Sequence, residues 1–134
     1  MYKESSLGYP AKLAGKRVLV VEDVAVVSML VEDELRDAGA EVLGPAISLD
    51  HALRLVEAAA GDGGISAAVL DINLGGRHVG PVADRLATLG VPFLFATGYG
   101  EGCDTGGHDA PILRKLFHPA ALITTLKALA SPSQ

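Results

Sequence analysis

Tryptophan is absent, cysteine occurs once, and aromatic residues make up only 4% of the 134-residue chain. The lone Cys103 cannot close an internal disulfide, and no neighbouring Cys or His stands at metal-ligand spacing from it. A disulfide framework and a zinc site are thereby excluded. A chain without disulfides fits a reducing compartment, so a cytoplasmic location is expected. Positive charge is also scarce: 11 Lys and Arg stand against 16 Asp and Glu, a net charge of −5. Binding to a phosphate backbone needs clustered cations, so direct nucleic-acid binding is not expected. Mean hydropathy is high at +0.35, yet the most apolar stretch, residues 24–31, falls far short of the ~20 residues of a membrane span. Residues 1–16, MYKESSLGYPAKLAGK, lack the apolar run and small-residue cleavage site of a secretory signal and read as a polar lead-in.

The length suits one domain, expected over residues 17–130 with a polar tail at 131–134. Four runs of three or four residues are apolar or nearly so: Val18–Val21, Ala67–Leu70, Phe93–Ala96 and Ile112–Arg114. The first three do not alternate polar with apolar, which suits strands of a parallel sheet covered on both faces. A fifth, weaker run, Glu41–Pro45, contains Gly and Pro and belongs at a sheet edge. Between the runs the apolar period becomes helical: Val24, Val27, Val31, Leu35 and Ala38; then Ala52, Leu55, Val56 and Ala59; then Val79, Val82, Leu86 and Leu89; then Leu122, Leu126 and Leu129. Pro119 suits the first turn of the last helix. Alternating strand and helix predicts a doubly wound α/β fold with a five-stranded parallel sheet. Its fourth helix slot, residues 99–109 (YGEGCDTGGHD), holds four glycines, each costing about 1 kcal/mol in a helix interior. That helix should be short or dynamic.

In such a sheet the ligand site lies beyond the C-terminal strand ends. The residues immediately after the runs are Glu22 and Asp23, Asp71, Thr97 and Lys115. Three carboxylates brought together need a cation, and an all-oxygen set without histidine suits Mg2+ rather than zinc. A carboxylate beside such a metal can act as a nucleophile toward phosphorus, with Lys115 and Thr97 stabilising the transferred group and backbone N–H groups of the Gly-containing loops assisting. Each of these residues has an ordinary alternative, Asp23 as a helix cap and Lys115 as a solvated cation, but their joint occurrence at successive strand ends favours a site. The Gly75-Gly76 pair reads as a turn without a phosphate role, and His51, His78, His108 and His118 read as surface residues, since they do not form a ligand set. Cys103 has no neighbouring cation to make it a reactive thiol.

The motifs VLVVEDV at 18–24, VLDINLGG at 69–76, FATG at 95–98 and LRKLFHPAAL at 113–122 resemble the receiver domain of two-component response regulators. The resemblance implies a flavodoxin-like sheet of order 2-1-3-4-5 and assigns Asp71 as phosphoacceptor. It places Mg2+ on Asp23 directly, on Glu22 through water, on Asp71 and on the backbone carbonyl of Asn73, with Thr97 as the switch hydroxyl and Lys115 as the phosphate-binding lysine. It further implies a stand-alone switch protein rather than a conventional enzyme, phosphorylated by a sensor histidine kinase or phosphotransfer protein and signalling by protein contact or as a phosphate sink. PFLFATGYG at 92–100 resembles the FATGUY subclass, which implies a kinase of the HWE or HisKA2 type.

Two positions depart from the family pattern. Ile112 stands where an aromatic switch residue is usual, which leaves Tyr99 as the nearest ring able to report on Thr97, against the alternative that Tyr99 packs statically. Leu116 stands where a proline following a cis bond is usual, so a trans Lys115–Leu116 bond is expected. Two other readings compete. A haloacid dehalogenase-type phosphatase would need a second catalytic Asp two residues after Asp71, where Asn73 stands. A pseudo-receiver would have lost members of the acidic cluster, all of which are present.

Overall fold

The computed structural model describes residues 11–98 and 104–131. Its main sheet has five parallel strands in the order β2-β1-β3-β6-β7: β1 (Arg17–Val21), β2 (Glu41–Ala46), β3 (Ala67–Asp71), β6 (Phe93–Thr97) and β7 (Ile112–Arg114). A hairpin of two-residue arms, β4 (Asn73–Leu74) and β5 (Arg77–His78), is antiparallel and separate from it. With the hairpin set aside, this is the flavodoxin-like 2-1-3-4-5 order. The weak run becomes β2 at the sheet edge, where Pro45 removes no essential ladder donor.

Continuous apolar strands are explained by the two layers. Val18 and Val20 of β1, Val69 of β3 and Leu94 of β6 face one core with Val31 and Leu35 of α1 (Ala25–Asp37) and Leu122 and Leu126 of α4 (Pro119–Ala130). Leu19, Val21, Leu70, Phe93 and Phe95 face the other, beneath Val56 of α2 (Leu49–Ala60) and Val82 and Leu86 of α3 (Gly80–Thr88). Leu13, ahead of the first strand, is also fully buried and joins the first core. Pro119 opens α4 after His118, whose Nδ1 accepts the Ala120 N–H.

Some details go beyond or against the expectations. Val24, placed on the buried face of the first helix, is half-exposed and precedes α1 as its N-cap. No helix occupies 104–111 in the fourth helix slot; Asp104 Oδ1 accepts the Gly106 N–H (2.9 Å) and Gly106 and Gly107 take positive φ. The side chain closes an Asx turn and the glycines follow it into a conformation no helix continues. Tyr99 and Cys103 lie outside the described residues. Finally, the Lys115–Leu116 bond is cis rather than trans. The trans expectation weighed only local preference, whereas Lys115 is held by its N–H on the Thr97 carbonyl (2.8 Å) and by its ammonium in the site.

The two sides of α1 should respond differently to truncation. Leu35→Ala, fully buried, is expected to cost about 2–5 kcal/mol in urea unfolding. Val26→Ala, 64% exposed, should change stability by no more than about 0.5 kcal/mol.

Candidate functional site

The C-terminal ends of β1, β3 and β6 converge on one crevice. Glu22 follows β1, its N–H held by the Ala46 carbonyl of β2 (2.9 Å), and the residue is only 4% exposed. One carboxylate oxygen lies 2.8 Å from Lys115 Nζ and the other accepts the Val24 N–H (3.1 Å). Asp71 ends β3 and is 3% exposed; its Oδ2 accepts from Lys115 Nζ and its Oδ1 from the Asn73 N–H, each at 3.1 Å. Asp23 is exposed and its Oδ2 accepts the Gly75 N–H (3.1 Å). It does not cap α1, whose N-cap Val24 has no side-chain hydrogen bond. Thr97 is fully buried at the end of β6, next to β3, where Asp71 pairs with Ala96. Lys115, just past β7, is thus brought to the carboxylates by the last strand.

Sequence reasoning brought Glu22, Asp23, Asp71 and Lys115 to one place, and the structure does the same. Glu22, Asp23 and Asp71 each offer an oxygen within 4.8 Å of the others. Thr97 ends the neighbouring strand and Asn73 opens the hairpin. What sequence reasoning missed is the grip of that hairpin on Asp23. Gly75 and Gly76 take φ of +59° and +86° at its tip, the twist a two-residue hairpin turn demands, and this aims the Gly75 N–H at the carboxylate. The adjacent glycines were the available sign. His78 and His108, read as surface residues, are partly exposed and bond to Asp104 and Asp84.

Electrostatics set the chemistry. Burial, and next the negative charge of Glu22, push the Asp71 carboxyl up to about 7, against the opposing pull of Lys115. Burial opposes the charge on Lys115, but Glu22 and then Asp71 more than offset it, and its pKa is raised. Two buried carboxylates share one ammonium, so negative charge remains in excess. The donors are all oxygen and Asp23 is open to solvent, an arrangement that fits Mg2+.

No family model matches the chain, and no curated protein matches it. Solved structures do. SdrG from Sphingomonas melonis Fr1 is 38% identical, with a TM-score of 0.74 over 87% of this chain and 97% of that one. The receiver domain of the PhyR response regulator from Erythrobacter litoralis is 26% identical, with a TM-score of 0.73 over 90% and 97%. A response regulator receiver protein from Burkholderia phymatum is 26% identical, with a TM-score of 0.75 over 86% and 94%. With this fold and this likeness, the chain belongs to the receiver-domain family of response regulators.

The raised Asp71 pKa has a consequence for stability. Between its ordinary value of 3.8 and about 7, the folded carboxyl keeps a proton that the unfolded chain has released. Stability is therefore lost as pH rises through that window, and the whole cost is present above it. Asp71→Asn is expected to be more stable than wild type in metal-free buffer at pH ~8, by roughly 1–4 kcal/mol, with the gain vanishing near pH ~4. Thermal unfolding across that range, with and without Mg2+, checks this; Mg2+ should shrink the difference.

Proposed function

We propose that Asp71 is the phosphoacceptor of a two-component switch, loaded by a sensor histidine kinase or phosphotransfer protein in a Mg2+-dependent reaction. The observation that carries this reading is the seating of the buried Asp71 carboxylate on Lys115 at 3.1 Å, beside Glu22 and Asp23. An Asp71 oxygen attacks phosphorus as the bond from phosphorus to the donor's imidazole nitrogen breaks; the imidazole leaves and the product is an aspartyl phosphate. Lys115 then turns its ammonium to the phosphoryl oxygens, and the Thr97 hydroxyl supplies a second donor. Asp23, Asp71, Glu22 through water and the Asn73 carbonyl would hold Mg2+, which supplies charge neutralisation at the phosphoryl group. Asp71 and Lys115 make the protein a switch that undergoes its own phosphorylation and dephosphorylation. Output follows by protein contact or by phosphate storage.

The surroundings of the site favour a protein donor. On α1, Met29 (61% exposed), Val26 and Leu30 face outward, and Leu116, next to the site lysine, is 90% exposed. Beside them, a groove of about 150 Å3 between α1 and the residues after β7 is lined by Val27, Leu30, Lys115, Leu116 and Phe117. Apolar surface running up to Lys115 is suited to be covered by the protein that presents the phosphoryl group. The FATGUY resemblance at 92–100 supports a kinase of the HWE or HisKA2 type.

Asp71→Asn is expected to abolish labelling by acetyl phosphate and by the kinase, and Asp23→Asn to weaken Mg2+ binding and slow both reactions. Labelling of Asp71→Asn at the wild-type level would refute the acceptor. Met29→Asp should slow transfer from the kinase by tenfold or more, on the order of 1.4 kcal/mol at the interface, while labelling by acetyl phosphate is unchanged. Equal slowing with both donors would place the effect in the site itself.

A further inference from the structure

The hairpin that holds the site also reaches away from it. Its Asn73 and Gly75 N–H groups donate to Asp71 and Asp23. On its second arm, paired opposite Asn73, His78 makes two bonds with opposite ring atoms. Nδ1 accepts the Gly80 N–H at the start of α3 (2.9 Å), and Nε2 lies 2.7 Å from the backbone carbonyl of Asp104. Because a carbonyl only accepts and an N–H only donates, the two partners together fix the ring with its proton on Nε2. Two glycines leave room for the ring: a Cβ on Gly80 would come within 3.1 Å of its Nδ1, and one on Gly106 within 3.4 Å of its Cε1.

Residues 104–109 beyond His78 form a unit of their own. Asp104 caps the Gly106 N–H, and the His108 N–H bonds the Thr105 carbonyl (3.2 Å). His108 Nε2 reaches Asp84 Oδ1 of α3 (2.7 Å), and its ring packs edge-on to Phe93 with centroids 5.3 Å apart. The segment therefore has two anchors. One runs to α3 and the core, and the other runs through His78 to the hairpin that grips Asp23 and Asp71.

We propose that His78 is a positioning residue that joins the acidic site to the 104–109 segment, so that a ligand immobilising Asp23 also orders that segment. The proposal rests on the reading of Asp23 as a Mg2+ ligand. A cation that fixes the Asp23 carboxylate fixes the acceptor of the Gly75 N–H, and a hairpin of two-residue arms has little freedom to absorb the change before His78. Order is passed on as a shift of populations between looser and tighter states of one connected unit.

The two ring nitrogens can be separated by substitution. His78→Asn keeps an acceptor for the Gly80 N–H, as an Asx side chain does for the residue two on, but is too short to reach Asp104. His78→Gln places an amide N–H near the position of Nε2. The test is amide hydrogen exchange at Gly106 and His108 in the full chain with and without Mg2+ alone, with the Asp23 and Gly75 resonances followed in the same titration. In wild type, Mg2+ is expected to slow exchange at both by about fivefold; His78→Asn should lose that response and His78→Gln should recover at least half of it. A full response in His78→Asn, or its loss in both variants, would overturn the role of Nε2. Mg2+-dependent shifts at Asp23 in wild type without any change at 106 and 108 would overturn the coupling alone. No shift at Asp23 would overturn the metal reading and the coupling with it.

Discussion

The ammonium of Lys115, 2.8 Å from Glu22 and 3.1 Å from Asp71, is the interaction on which the site depends. Two carboxylates almost closed off from water would otherwise repel each other and lose hydration with nothing in return. Much of the C-terminal third serves to deliver that one group. β7 is only three residues long, yet it docks on β6, and the Lys115 N–H then bonds the Thr97 carbonyl, which sets where the side chain starts. α4 begins at Pro119 directly afterwards and secures the turn through Leu122 and Leu126 in the core.

The same compensation is incomplete by design of the residues present. One ammonium cannot balance Glu22, Asp23 and Asp71, and the surplus negative charge makes the cluster one that could hold a hard divalent cation. Local rules give way around it. The helix α1 starts without a side-chain cap because Asp23 is turned toward Gly75, and Val24, an apolar residue, stands at the N-cap. Neighbouring Asp23 would be the better cap by propensity. A broken local preference next to a charged crevice is the pattern expected where a fold gives up stability for a site.

Most of the architecture was legible because burial on two faces leaves an unmistakable trace. Runs such as Val18–Val21 and Phe93–Ala96 cannot be half-buried strands, and the polar residues that end them have to sit at the mouth of the sheet. Glu22, Asp23, Asp71, Thr97 and Lys115 were picked out on that ground, whereas Asn73 and the individual roles came from the family resemblance. What could not be read depended on contacts distant in sequence. The Gly75-Gly76 pair signals a turn but does not tell that the Gly75 N–H meets a residue 52 positions away. His78 and His108 lack ligand spacing, and their partners Asp104 and Asp84 are brought near only by the turn that replaces a helix at 104–109. The cis bond after Lys115 likewise goes with anchors at the C-terminal ends of β1, β3 and β6. Val24 continued the helical period in sequence but falls outside the helix, where periodicity no longer governs exposure.

A phosphoryl group carried on the Asp71 side chain is tested most directly by chemical trapping. The protein is loaded with a small phosphodonor in the presence of Mg2+, treated with borohydride to reduce an acyl phosphate to an alcohol, and sequenced by peptide mass spectrometry. Asp71, held by Lys115 and raised in pKa by burial and Glu22, should be converted to homoserine, and only when donor and Mg2+ are both present. Homoserine at position 23, or unmodified aspartate at both positions in protein that carries phosphate, would contradict Asp71 as the acceptor.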